Sequence, residues 1–262
     1  MVEKLIVFGD DGSGGAGAAW GWLEAQDWGG WPVDVVTASN TEFHPHEAGE
    51  ELVHEWEPSA PRHALATSGL GPVRHLVGNG DPRLLLASIA QHGLLVIGAR
   101  GVGGFEGLLV GSTADWLMRD PPVPIVMVRR AEPVRSVALF VDGSHHADAA
   151  VRAFSELPWV ASTQCTVVGV ADTAEGPRAA CEAAASVLRK AGCQVATEVI
   201  ELDDMAVTLN PAPRILDYLD RVDPDLVVMG TQGRTGFARL WFGSVAGAVA
   251  HHSTCNVMMA RA

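Results

Sequence analysis

The chain has 262 residues, of which 48% are hydrophobic and 19% charged, and its formal net charge is −13. That composition suits one or two folded domains and excludes a disordered chain. The acidic excess excludes a basic face for nucleic acid or an anionic membrane, so any phosphate site must draw on backbone N–H groups, nearby arginines or a metal ion.

No apolar run approaches the ~20 residues of a membrane helix. The opening MVEKLIVFGDDG lacks a charged leader ahead of an apolar stretch, so no secretory signal is expected. Cys165, Cys181, Cys193 and Cys255 form no CxxC pair. Reduced thiols in a cytoplasmic protein are expected. Eight tryptophans stand against one tyrosine, a bias with no functional reading in the sequence.

Short β-rich runs recur along the chain. In the first half they are Leu5–Phe8, Val33–Val36, Val73–Val77, Leu94–Ile97 and Ile125–Val128. In the second half they are Val137–Val141, Thr166–Val170, Val195–Ile200, Leu226–Met229 and Asn256–Met259. Continuous apolar runs of this length suit strands covered on both faces, as in a parallel sheet. Helical stretches lie between them. Ala147, Ala150, Val151 and Phe154 fall on one helix face after the N-cap candidate Ser144, and Ile215, Leu219 and Val222 form a second stripe after Pro213. Strands alternating with helices predict an α/β fold, doubly wound, with helices on both faces of the sheet.

The two halves repeat. Gly98, Gly101, Gly104, Phe105, Gly111 and Ser112 recur 132 residues later as Gly230, Gly233, Gly236, Phe237, Gly243 and Ser244, without a gap. Asp11-Gly12-Ser13 likewise recurs as Asp142-Gly143-Ser144. The chain therefore reads as a duplication, with domains at 1–131 and 132–262 and the joint in Arg129–Arg135.

In each copy the fourth strand runs into Gly-x2-Gly-x9-Gly-Ser. The first glycines are expected to turn the chain off the strand through positive φ and to let backbone N–H groups approach phosphate oxygens. The closing Gly-Ser opens a helix, whose N-terminus supplies free N–H groups and the positive dipole end. The loops after strands one and four both lie at the carboxyl ends of the strands, where open α/β sheets bind ligands. The spacing is neither a Walker loop nor a dinucleotide fingerprint.

These residues resemble the universal stress protein family in its tandem two-domain form. Gly98-x2-Gly101-x9-Gly111-Ser112 and Gly230-x2-Gly233-x9-Gly243-Ser244 match the pattern of its ATP-binding branch, and the Asp-Gly-Ser segments and the closing strands PVPIVMVRR and CNVMMARA match as well. The resemblance implies five parallel strands per copy in the order 3-2-1-4-5. It implies ATP beside Asp11 and Asp142, and a Mg²⁺ carried in with the nucleotide is expected on its phosphates. Ala38 and Val170 would meet adenine through backbone groups, while Thr113 and Val245 would add N–H contacts to phosphate. Asn40–Thr67 departs from the pattern, being a poor match to the helix expected after strand two, whereas Glu175–Ala191 is a good one. Copy two also lacks the Gly78-Asn79-Gly80-Asp81-Pro82 run, so the rims of the two sites should differ.

The other constellations read more plainly. His145-His146 and His251-His252 on helices cannot converge on one ion, and solvated histidines account for them; His44-Pro45-His46 in a loop could converge. Arg100 and Arg234 sit where they could offset phosphate charge, and Trp241 and Phe242 read as loop packing. No catalytic residue and no protein metal ligand is assigned. No paired carboxylate or lysine stands out beside the glycine loop, so the expected function is holding adenine nucleotide in stress signalling. A slow ATPase, or a partner-binding scaffold with vestigial sites, is the alternative. The final strands are candidates for edge pairing, giving an intrachain pseudo-dimer or a homodimer.

Overall fold

The structure, a computed structural model, describes residues 4–39, 53–55, 69–101, 110–171, 175–201, 211–233 and 243–262. Copy one contributes β1 (Ile6–Gly9), α1 (Gly14–Glu24), β2 (Val33–Ser39), β3 (Val53–Glu55), β4 (Val73–Asn79), α2 (Pro82–Ile89), β5 (Leu94–Gly98), α3 (Ser112–Arg119) and β6 (Ile125–Val128). Copy two contributes β7 (Ser136–Val141), α4 (His145–Ser155), β8 (Gln164–Ala171), α5 (Glu175–Lys190), β9 (Gln194–Glu201), α6 (Ala212–Val222), β10 (Leu226–Gly230), α7 (Ser244–His252) and β11 (Asn256–Ala260). All ten expected strands are present.

The strands form one sheet in the order β3-β4-β2-β1-β5-β6-β11-β10-β7-β8-β9. Within each copy the order is 3-2-1-4-5 and the pairing parallel, with Ile6 opposite Val33 and Leu94 in copy one and Val137 opposite Cys165 and Leu226 in copy two. Among the described residues two pairings are antiparallel. One joins the copies, setting Val126 of β6 against Met258 of β11. The other adds β3 outside β4, within the stretch where the family pattern has a helix. No described helix is long and apolar enough to cross a membrane.

Burial follows from this order. β6 and β11 are buried at every position because each lies between two strands and beneath helices, whereas β9, on the outer edge, has many exposed positions. The α4 stripe packs as its spacing predicts, with Ala147, Ala150, Val151 and Phe154 buried behind the Ser144 cap. In α6 Ile215 and Leu219 are buried, but Val222, in the last turn, is 45% exposed.

The tryptophan bias has a structural cause. Trp22 and Trp28 of copy one are fully buried and meet Trp159 of copy two edge-on, with centroids 6.0 and 5.9 Å apart at 89°. Phe154 and Trp31 extend the cluster. Beside it the side chain of Gln26 accepts a hydrogen bond from Val134 N, 3.1 Å away, just past the joint. The apolar cores on each side of the sheet run through both copies without interruption.

The end of each copy is also clasped by the other. Arg129 donates through its guanidinium to the carbonyls of Ala250 and Cys255, at the end of α7. Asn256 Oδ1 accepts from Arg129 N and Arg130 N at 2.8 and 2.9 Å. The counterpart of Arg129 in copy two, Arg261, pairs with Asp120, the residue closing α3. Burial lowers the Arg129 pKa to about 10, with Arg100 adding to the pressure, and carbonyl dipoles at a helix end compensate its charge.

Candidate functional site

The carboxyl ends of β1, β2 and β5, with the starts of α2 and α3, enclose a cleft of about 670 Å³. It brings together the copy-one residues assigned to nucleotide in the sequence: Asp11, Ala38, Gly98, Gly101, Gly111, Ser112 and Thr113 all line it. One end is apolar, walled by Val36, Leu85, Leu86 and Ile97; the other carries the glycine loop, Arg100, Asp10 and Asp11.

The β1 loop is built from Asx turns. Asp10 Oδ1 accepts from Gly12 N at 2.8 Å and Asp11 Oδ1 from Ser13 N at 3.0 Å. Gly12 takes φ +73, which accounts for a glycine there. Ser13 then does two things. Its hydroxyl accepts from Ala16 N, capping α1, and donates to the Arg100 carbonyl at 3.1 Å, tying the two loops together. Copy two repeats this, with Ser144 capping α4 and donating to the Gln232 carbonyl at 3.2 Å.

The glycine loop has a different physical basis from the one expected. Gly98, Gly101, Gly230 and Gly233 do not adopt positive φ, and Gly111 and Gly243 have φ −77 and −67. What these positions require is space. A Cβ on Gly98 would come within 2.9 Å of Ala16 N, and one on Gly230 within 2.7 Å of Ala147 N, so both let the strand end press against the first turn of its copy's first helix, α1 or α4. A Cβ on Gly101 would strike the Asp11 carboxylate, and one on Gly233 would lie 2.8 Å from Asp142 Oδ2. Each glycine therefore lets an aspartate lie flat against the loop. The loop is closed at its base by Gly111 N donating to the Ala99 carbonyl at 2.8 Å, and by Gly243 N donating to Thr231 at 2.9 Å.

Helix α3 starts at Gly111 and α7 at Gly243, which have no side chain to cap with, whereas α1, α2 and α4 are capped by Ser13, Asp81 and Ser144. The helices that open at the glycine-serine pair thus leave their first N–H groups for another acceptor. In copy one Ser112, Thr113 and Ala114, the first turn of α3, line the cleft. In copy two Ser244 and Val245 begin α7 in the same way, and Val170 sits in β8 opposite Ile200, with both packed against the core.

Several features of the cleft were not read from the sequence. Asp10 is a buried carboxylate beside Asp11, although no paired carboxylate stood out, and the aligned residue of copy two is Val141. Leu85 and Leu86 form a wall because Asp81, with Pro82 behind it, starts α2 at the rim. Aligning the two copies around Asp11 and Asp142 would have exposed the first of these. The histidines are not all solvated. His146 Nδ1 lies 3.3 Å from both Thr231 Oγ1 and Ala262 N, and His251 Nε2 lies 2.7 Å from Asp115 Oδ1. Gly104, Phe105, Gly236, Phe237, His44, His46, Arg234, Trp241 and Phe242 lie outside the described residues.

The profile of the universal stress protein family matches residues 4–129 and again 133–261. The chain belongs to the universal stress protein family. Universal stress protein Rv1996 of Mycobacterium tuberculosis is 28% identical over 247 residues, covering 86% of this chain and 77% of its own. Universal stress protein Rv2623 of the same organism is 28% identical over 186 residues, covering 64% of this chain and 61% of its own. The crystal structure of a universal stress protein from Archaeoglobus fulgidus superposes with a TM-score of 0.69 at 16% identity over 98% of both chains. At that identity the likeness concerns the fold. Both copies are thus universal stress protein repeats, arranged in tandem.

Proposed function

We propose that this universal stress protein holds an adenine nucleotide, ATP with Mg²⁺, in the cleft of copy one as part of a stress response. The observation that carries the reading is the side-chain-uncapped start of α3 on the wall of a cleft whose opposite end is apolar. A helix N-terminus favours an anion by up to about 2 kcal/mol in a partly buried geometry. The other end, between Val36, Leu85, Leu86 and Ile97, suits the faces of a purine, with the backbone of Ala38 at its margin. Asp11, held against Gly101 at the loop end, suits a ribose hydroxyl. Arg100, at the loop, offsets phosphate charge in a chain of net charge −13.

The residues fit nucleotide with its cation: the ion would lie against phosphate oxygens, and Asp10 and Asp11 are the carboxylates closest to hand in the cleft. When bound, it would neutralise phosphate charge.

The same pair of carboxylates favours a second reading, a slow ATPase, since one could orient a water. Each already accepts a backbone N–H, from Gly12 and Ser13, so one oxygen of each carboxylate is engaged in its own turn and not free to orient a water. Holding is therefore preferred to turnover. Heat-releasing the small molecules from purified protein and identifying them by mass tests the proposal. Adenine nucleotide near one equivalent supports it; its absence, together with no ATP uptake by the stripped protein, overturns it. ATP consumption above a few turnovers per minute that Asp10→Asn and Asp11→Asn both abolish would favour the ATPase.

A further inference from the structure

The two copies differ in side-chain size at one position on the floor of the cleft. Two residues ahead of the repeated aspartate, copy one has Gly9 and copy two has Phe140. The sheet register makes the positions equivalent, with Gly9 opposite Val36 on β2 and Phe140 opposite Val168 on β8. Gly9 lines the cleft beneath Leu86 and Ile97: a Cβ built there would lie 3.1 and 3.3 Å from them. Leu86 and Ile97 pack directly over the bare Gly9 backbone, and the three together form the floor of the apolar end.

In copy two a phenylalanine ring stands where copy one has a bare backbone. Phe140 is 6% exposed and meets the ring of Tyr218 edge-on, with centroids 6.0 Å apart at 84°. Tyr218 stands on α6 one turn before the helix end, where α2 of copy one carries Leu85 and Leu86. It is pinned at both ends. Its hydroxyl donates to Glu198 Oε2 at 3.0 Å, and the Arg221 guanidinium lies 5.5 Å from its ring centroid. Burial and the Glu198 carboxylate raise its pKa far above the ordinary phenol value, so the hydroxyl stays a donor. An aromatic pair held by packing, a hydrogen bond and a cation does not swing aside without losing all three.

We infer that the chain holds one nucleotide, in copy one, and that Phe140 with Tyr218 closes the base pocket of copy two while its phosphate-side glycines persist as the packing residues of a repeated loop. The inference rests on the nucleotide reading above. Gly9 and Phe140 are then the residues that determine which copy binds.

Titration of ATP and Mg²⁺ into nucleotide-stripped full-length protein, with the stoichiometry read by calorimetry or equilibrium dialysis, tests it. The wild type should bind one equivalent. Gly9→Phe should weaken binding at least 100-fold, and thermal unfolding of that variant shows whether it folds. The double variant Phe140→Gly and Tyr218→Leu should raise the stoichiometry to two; if the cavity it creates prevents folding, Phe140→Ala is measured instead. Two equivalents in the wild type overturn the inference and leave the nucleotide reading standing. One equivalent that Gly9→Phe leaves unchanged in a folded protein also overturns it. No uptake by the wild type overturns both.

Discussion

Asp115 of copy one and His251 of copy two meet across the pseudo-dyad, with Oδ1 2.7 Å from Nε2. Asp115 lies in the first turn of α3, where its negative charge suits the positive dipole end, and His251 lies in the last turn of α7. Arg119 closes a fork on the same carboxylate at 3.0 and 3.1 Å. Burial opposes the charge on Asp115, but the hydrogen bonds from Arg119 and His251 outweigh it and hold the carboxyl below its ordinary value of 3.8. A lowered carboxylate pKa stabilises the fold above the unfolded value, and that contribution is lost as the pH falls through the folded one. The stability difference between wild type and Asp115→Asn, from urea unfolding, should therefore be constant in its carboxylate part above about pH 5 and shrink below about pH 4. A difference that grows on acidification would contradict the assignment.

Trp159 of copy two packs against Trp22 and Trp28 of copy one. Its truncation to alanine should cost about 3–5 kcal/mol, as for other large aromatic residues in a core. Trp159→Phe should cost much less, because the buried Trp159 Nε1 has no hydrogen-bond partner among the described residues and its removal leaves no acceptor stranded. Chemical unfolding of both variants checks this. Equal losses would mean that the indole N–H is satisfied after all.

Gly98 should behave as a packing residue. Gly98→Ala pushes a methyl into the backbone of Gly15 and Ala16, which should lower stability by about 1–3 kcal/mol. Gly230→Ala should do the same against His146 and Ala147. Were positive φ the reason for these glycines, Gly98→Asn would be far milder than Gly98→Ala. Closeness of backbone predicts the reverse, and melting temperatures of the two variants decide.

Much of the fold was legible because its signals are local. Apolar runs marked all ten strands of the two repeats, and the repeat with its resemblance carried their order. The short strand Val53–Glu55 was not seen, since three residues carry no period. The tryptophans stayed unexplained because their partner, Trp159, lies more than 120 residues away and meets them only when β6 and β11 join the copies. In the site, the glycine positions were legible but their cause was not: a sequence shows that a side chain is missing, not whether φ or space demanded it. Val222 looked buried by period, yet α6 ends there and its last turn leaves the core. The block formed by Phe140 and Tyr218 was hidden for a like reason, since each residue alone reads as ordinary core.

The central claim is that the cleft between Asp11, Gly101 and the start of α3 holds ATP. Calorimetric titration of ATP into nucleotide-stripped wild type and into Gly101→Val tests it most directly. The valine puts a branched side chain against the Asp11 carboxylate at the mouth of the loop. The account predicts saturable binding by the wild type and at least a 100-fold loss in the variant, with its fold retained by circular dichroism. Equal binding by the two proteins, or none by the wild type, would contradict it.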